Sequence, residues 1–564
     1  MPHRQTLDRF AAGEPAPARL KRLLLGGAAL AFAIGLPLAA QAQAQAQPEA
    51  QAAPPPAADA QSEIDELKAE VATLAAQVQD LKRSQIAQIQ TLATVQNSVP
   101  APPAVNTSLD GGKLVISSAD KQFTFAPRAL LQFDAADYDQ AEPGPFATDL
   151  RRDGAAVGSP SVDMTHARDL KDGDVFRRAR LGFEGTAYGD FSYRMLFDFG
   201  GSGVENSGQL YEGWAQYAGL KPFAVRVGAF RPSEGLEDQT TPSDLMFLDR
   251  PGSTDTAGGL AASDTRTAVQ VFGYGDRWFA SADVTGRAIG VISTGTASAT
   301  AQSYGDQLGF VGRVGFTPLK GDDWRLYVGA HGSYVSEPPN ASGPSTAVTG
   351  VTPISSRVIA FNDTPEMRVD GTKLVNTGNI DAKDAGTEGL EFAVQKQNLF
   401  LQAEYENMFV DRSDIHSSPS FSGWYVEGSW FVTGEARRYS ASAASFGLPV
   451  VAHPFNPRSG QWGAVELAVR YSDLDLNYDA GAARTLPTVD AVRGGDQKIF
   501  TAGVNWYLNS LFRLTGEYQH VTIDRLSPCT TATATSCSTV WLTPAGAQIG
   551  QSYDAFAFRS QVSF

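Results

Sequence analysis

The chain has 564 residues, 55 of them glycine and 32 proline, and a formal net charge of −16. Such an acidic chain is a poor match for nucleic acid or anionic lipid surfaces. Its length exceeds one ordinary domain but suits a large barrel.

Residues 1–22 carry Arg4, Arg9, Arg19, Lys21 and Arg22. An apolar run of 14 residues, Leu23 to Leu36, follows, then Pro37 and the small-residue site Ala40-Gln41-Ala42. This is the three-part pattern of a secretory signal peptide, assigned to residues 1–42. The run falls short of the about 20 residues a membrane-spanning helix needs, and no later run is long enough. Cleavage removes five of the 45 basic and two of the 61 acidic residues, leaving a net charge of −19.

Residues 43–60 are rich in Gln, Ala and Pro and read as a flexible lead. From 61 to 98 the pattern changes. Ile64, Leu67, Val71, Leu74, Val78 and Leu81 alternate three and four apart, three heptads with β-branched residues at a and Leu at d. Ile89 and Leu92 resume the seam after a four-residue stutter. A stripe this narrow predicts a coiled coil, and its composition by itself favours two strands. Pro100 to Pro103 breaks the helix and opens a Pro-rich linker over 99–111.

From 112 to 564 the chain reads as strands and loops. The stretch 176–199, FRRARLGFEGTAYGDFSYRMLFDF, sets the pattern. Ala179, Leu181 and Phe183 fall on one face, and Arg178, Arg180 and Glu184 on the other. After Tyr188-Gly189-Asp190, Phe191, Tyr193, Met195 and Phe197 alternate against Arg194 and Asp198. A period of two with a short Gly-Asp connection is a hairpin. Arg177 shares the apolar parity, which places it at the rim or before the strand. One greasy and one charged face fit a barrel with lipid outside and water inside. The same dyad recurs over 221–230, which includes Arg226, and over 398–406, 462–472, 512–520 and the last residues to Phe564. Connections at 188–190 and 508–510 are tight. Those at 139–175, 231–265, 335–360 and 440–460 are long, as expected when short turns line one rim and long loops the other. Roughly 16 strands suit this length. Tyr188, Trp430, Trp462, Trp506 and Tyr507 are candidates for the aromatic girdles. Cys529 and Cys537 bracket a Thr/Ser-rich segment and predict a loop disulfide in an oxidising compartment. The histidines at 3, 166, 331, 416, 453 and 520 are scattered and build neither a catalytic constellation nor a metal site. The chain therefore reads as an all-β antiparallel transmembrane barrel preceded by a coiled-coil helix, with neither enzymatic activity nor a cofactor expected.

The stretch 176–199 also resembles the phosphate-selective porins O and P of Gram-negative outer membranes. So do GAFRPSEGLED (228–238) with FLDR (247–250), LVNTG (374–378), AEYE (403–406), WFVTGEARRY (430–439), GAVELAVRYSDLDL (463–476), GVNWYLN (503–509) and RSQVSF (559–564). The resemblance covers essentially all of 112–564. It implies a 16-stranded homotrimeric barrel in the outer membrane, with a third loop near 231–265 folded inward to narrow the pore. A trimer would turn the coil into a three-stranded one, reaching into the periplasm toward peptidoglycan. A final Phe, here Phe564, is similar to an outer-membrane assembly signal. Arg177 and Arg178 fall on the family's paired constriction arginine. A further family arginine is Leu130 here, with Arg128 two residues earlier on the same face, and the lysine expected after Gly-Leu-Glu is Asp238. Loop three carries Glu234, Glu237, Asp238, Asp244, Asp249, Asp255 and Asp264 against Arg231 and Arg250. Carboxylates facing the lumen would oppose phosphate. The expectation is a general diffusion pore for small polar solutes, with Arg128, Arg177, Arg178, Arg180, Arg194, Arg226, Glu234, Glu237 and Asp238 at its constriction. An anion-preferring pore built on Arg177, Arg178 and Arg180 is the alternative, and a tether to peptidoglycan is a reading from another class.

Overall fold

In a computed structural model the described residues are 57–98, 105–110, 112–140, 170–205, 208–262, 265–289, 307–339, 357–413, 415–529 and 545–564. The signal peptide and the flexible lead to residue 56 lie outside them. The chain divides into two units, Met1–Pro100 and Ala101–Phe564.

The first unit contains one helix, α1 (Ala57–Ser98). Its predicted seam is uncovered within the chain: Ile64, Leu67, Val71, Leu74, Val78 and Leu81 are all exposed. Burial of this stripe therefore requires a partner.

The second unit is a closed barrel of 16 antiparallel strands. In chain order they are β1 (Thr124–Gln140), β2 (Gly173–Ala187), β3 (Phe191–Asp198), β4 (Gln209–Tyr217), β5 (Phe223–Phe230), β6 (Arg266–Tyr274), β7 (Trp278–Ala288) and β8 (Leu308–Lys320). The circuit continues with β9 (Trp324–Glu337), β10 (Ile380–Lys396), β11 (Leu399–Arg412), β12 (Ser420–Phe431), β13 (Ala464–Tyr478), β14 (Val492–Tyr507), β15 (Phe512–Asp524) and β16 (Ser552–Ser563). Each strand pairs with its neighbour in sequence, and β16 returns to β1. At that seam Arg559 lies opposite Asp134 and donates twice to its carboxylate at 2.6 Å. Phe564 extends the seam through reciprocal backbone bonds with Ala129. Among the described residues, closure leaves none of these 16 strands with an unpaired edge, the condition for a sheet in lipid.

The dyad sorts the two faces as expected. Leu181, Val227, Val269, Val314, Leu390, Val469 and Phe556 are exposed on the outside, while Arg313, Glu404, Arg470, Thr501 and Arg559 are buried on the inside. Tyr507 departs from the expected girdle. It is inward and 2% exposed, with its hydroxyl 2.7 Å from Glu466, because even one step along a strand reverses the face. Residues 105–110, expected as linker, form a strand. Val105–Asp110 pairs with Lys113–Ser118, which joins β1 through Ile116 and Phe125. Asp110 lies opposite Lys113, so the connection between them is tight.

Three connections fold into the lumen. Loop three carries α2 (Leu236–Gln239) and α3 (Gly252–Gly258), and buries Leu245, Met246, Phe247 and Leu248. The 357–379 segment buries Phe361, Met367, Val369, Leu374 and Val375 against it. The third is the connection between β12 and β13. Its length predicts the rim of long loops, but the strand order puts it on the rim of tight turns. Phe431 bonds Asn398 of the tight 397–398 turn, and Phe455 bonds Leu508 of another. Its hairpin, Arg437–Ser440 paired with Ser445–Pro449, turns inward. Phe446 packs on Phe400 and Tyr439 with ring centroids 4.7 and 5.2 Å apart. Loop length alone does not reveal which rim a loop leaves from.

Candidate functional site

Loop three is held by the barrel wall through its own backbone. Wall carboxylates accept its N–H groups: Glu404 takes those of Leu236 and Glu237, and Glu517 takes Leu248 at 2.9 Å. Glu366, on the 357–379 segment, takes Gly252 at 2.9 Å. Wall cations and amides donate to its carbonyls: Arg513 to Leu245, Asn505 to Met246, Arg559 to Leu248 and Arg470 to Asp249. Buried backbone groups must find partners, and the lumen-facing charges supply them. This explains much of the charge that the polar face carries.

A path remains between this loop and the wall of β1–β4. Two cavities, of about 210 and 240 Å³, share Arg180, Tyr211, Arg231 and Pro242. One reaches toward the long loops, past Arg177, Arg178, Asp198, Asp249, Arg250, Asp255 and Arg368. The other reaches toward the turns, past Lys113, Arg128, Glu184, Arg194, Glu212, Asp244 and Phe564. Together they present nine basic side chains against six acidic ones.

Arg177 is not at a rim. The register shifts between Gln132 opposite Arg178 and Phe133 opposite Phe176, so Arg177 is the extra residue of a β-bulge. The bulge re-aims it, and both arginines reach the lumen. Gly200 admits this geometry, since a Cβ there would lie 2.5 Å from the Arg178 Cα. Arg177 and Arg178 share one carboxylate, Asp249, at 3.0 and 3.1 Å. Burial would raise the Asp249 pKa, but Arg177, Arg178 and Arg368 outweigh it and hold the group well below the usual carboxylate range. Arg180 pairs with Asp198 at 2.7 Å and lies 3.5 Å from the Tyr211 ring centroid. Arg194 pairs with Glu184 at 2.5 Å and Glu212 at 3.2 Å, and Arg128 also pairs with Glu184. Arg250 donates to the carbonyls of Glu237, Asp238 and Thr240. One shared carboxylate for two arginines, and carbonyl partners for Arg250, leave the surplus positive.

Glu234, Glu237 and Asp238 do not line either cavity. All three are buried; Glu234 and Glu237 point at the opposite wall, while Asp238 faces Arg231, which lines both cavities. Thr387 donates to Glu234 at 2.6 Å, Gln402 donates to Glu237 at 2.7 Å, and Asp238 lies 3.7 Å from Arg231. Arg226 lines a different cavity. Cys529 is disulfide-bonded, while Cys537 lies outside the described residues.

Sequence reasoning missed His331, on the inward face of β9. Its Nδ1 is 2.9 Å from Glu391, and its Nε2 is 3.0 Å from Glu406. His331, Glu391 and Glu404 bring ligand atoms within 4.8 Å of one another. These donors are already committed. Arg313 forks onto Glu391 at 2.9 and 2.7 Å, and Glu404 takes Tyr425 at 2.6 Å besides loop three. The cluster is an ion-pair network that anchors the loop. The small-polar alternation Gly329, His331, Ser333 was the available signal.

Two loop carboxylates are poised near neutrality. Burial, opposed by His331, raises Glu234 to about 7. Burial, reinforced by Asp255, raises Asp363 to about 8. An acid with a raised folded pKa stabilises through its protonated form. That contribution is complete below the unfolded value of about 4 and is lost as pH rises through the folded one. The thermal midpoint is therefore expected to fall between about pH 5 and pH 9. The Glu234→Gln/Asp363→Asn double variant should flatten that slope. An unchanged slope would show that other groups govern it.

The sequence profile of a family described as phosphate-selective porin O and P matches residues 162–539. Porin O of Pseudomonas aeruginosa is 25% identical over 424 residues, covering 74% of this chain and 87% of that protein. An uncharacterized protein of Caulobacter vibrioides is 25% identical over 453 residues, covering 79% and 82%. Among solved structures, an anion-selective porin from Comamonas acidovorans aligns with TM-score 0.41 and 13% identity, over 78% of this chain and all 100% of its own. OprB of Pseudomonas putida aligns with TM-score 0.44 and 9% identity, over 79% and 95%.

Proposed function

The chain belongs to the phosphate-selective porin O and P family and is an outer-membrane channel, and from that premise we propose that it passes small anions in preference to cations. The observation that carries this is the lining of the path along β1–β4, nine basic side chains against six acidic. A low-dielectric wall focuses the field of lining charges, so a small surplus biases which ions enter. The geometry favours this over the unselective pore because two of the loop carboxylates that would have opposed anions, Glu234 and Glu237, are turned to the far wall. Arg128, Arg177, Arg178, Arg180 and Arg194 form the basic side of the path. The purified protein in a planar bilayer under a salt gradient should give a reversal potential of anionic sign, and titrated phosphate should lower the chloride current. A zero or cationic potential would refute the assignment.

The working unit in this proposal is a homotrimer joined by a three-stranded coil of α1 in the periplasm, where it could also engage peptidoglycan. The exposed seam from Ile64 to Leu81 supports self-association. Deleting residues 43–111 should lower trimer yield on native gels. Intact trimers combined with a detached cell envelope would favour the tether instead.

A further inference from the structure

The lumen holds another cavity, of about 580 Å³, that shares no lining residue with the two along the path. Small-molecule sites span about 300–1,000 Å³. It lies toward the turn rim, where Lys221 and Pro222 belong to the connection between β4 and β5, and Ser442 and Ala443 form the tip of the inserted hairpin.

Its charge pattern differs from that of the path. The lining holds two cations, Lys221 and Arg226, and no carboxylate. Arg226 donates through Nε and Nη2 to Gln216 Oε1 at 3.0 and 2.8 Å, and among the described residues it forms no ion pair. Its Nη1 is left for a ligand. The guanidinium is framed by aromatic rings, with the centroids of Trp214 and Phe272 at 4.6 and 5.2 Å. The acids that act on Arg226 are Glu212 on β4, already held by Arg194 at 3.2 Å, and Asp283 on β7, opposite Gln270. Neither lines the cavity. Beside Arg226 the wall combines the polar Gln216 and Gln270 with an apolar patch of Ala218, Ala224 and Phe272.

We propose that this cavity binds a small organic carboxylate with a flat apolar body, its carboxylate on Arg226 and its body against Phe272. A single planar guanidinium matches a planar carboxylate. Inorganic phosphate has no flat apolar body to lay on Phe272, so it forgoes that part of the contact.

Calorimetric titration of the detergent-solubilised full-length protein with sodium benzoate tests this, with inorganic phosphate as the comparison. Saturable benzoate binding is expected, weakened about tenfold or more in Arg226→Gln, the loss of one charged hydrogen-bonding partner. Phosphate should bind more weakly than benzoate. No saturable binding, equal affinity in Arg226→Gln, or phosphate binding as tightly as benzoate would each overturn the proposal. If Arg226→Gln fails to give the heat-modifiable barrel band, Ser442→Trp replaces it. That change fills the cavity from the exposed hairpin tip and should abolish benzoate binding. Retained binding would overturn the assignment.

Discussion

Replacing Arg177 and Arg178 together with glutamine is expected to bring the channel's anion preference close to zero. The path is lined by nine basic and six acidic side chains, and the double variant leaves seven against six. It also releases Asp249, which these two arginines share at 3.0 and 3.1 Å. The carboxylate keeps Arg368 in its surroundings but loses both ion pairs, so its field reaches the solute. The reversal potential under a fixed salt gradient measures the change. Asp249→Asn should act in the opposite direction and raise anion preference. It also leaves two buried guanidinium groups without their carboxylate. Breaking a buried pair in this way costs about 3–5 kcal/mol, so its thermal midpoint should fall below that of the wild type. An unaltered potential in the arginine double variant would place the selective section elsewhere.

Replacing residues 437–449 by a short Gly-Ser linker is expected to raise single-channel conductance severalfold. This hairpin fills the turn-side half of the lumen beneath loop three. Arg437 forks onto Glu466 at 2.9 Å for both bonds. Arg313 donates to the carbonyls of Ala443 and Ala444 at 2.8 Å. Phe446 is 1% exposed in the same apolar cluster as Leu236, Phe247, Tyr327 and Phe400. Without the hairpin, that cluster faces water along β8–β12. The wall itself keeps its principal pairs, because Arg313 retains Glu391, and Glu466 retains Asn505 and Tyr507. The variant should therefore still close, and heat-modifiable migration checks that it does. The cavity beside Arg226 also loses its Ser442 and Ala443 wall. Unchanged conductance from a closed barrel would mean that loop three alone seals that half.

The two expected effects divide the lumen. One side, along β1–β4, is a narrow charged path. The other is packed by loop three, the 357–379 segment and the inserted hairpin. The buried charges on the packed side have a structural part to play. Glu404, Glu517, Arg470 and Arg559 satisfy the backbone of a loop that has no sheet to join. Net charge was thus a poor guide to which charges line the path. Seven acidic residues in loop three suggested a field hostile to anions, yet Glu234 and Glu237 are spent on the opposite wall and Asp238 on Arg231.

The sequence by itself determined the barrel. Its dyad pattern is local, because each strand residue takes its face from its immediate neighbours, and lipid outside with water inside fixes what each face must be. The strand number, the inward third loop through the family resemblance, and the arginines of β2 and β3 could all be read from the sequence. Only the tertiary structure decided which charges meet the solute. A bulge too subtle for the alternation pattern brought Arg177 into the lumen beside Arg178. The rim from which residues 432–463 depart followed from the full strand order rather than from loop length. Tyr507, Arg226 and His331 were each assigned by partners on other strands, Glu466, Gln216, and Glu391 with Glu406. The physical reason is the same in each case. A strand's two faces are set within a few residues, whereas a loop's conformation is set by the buried partners its backbone and carboxylates can find, and those are brought together only when the barrel closes.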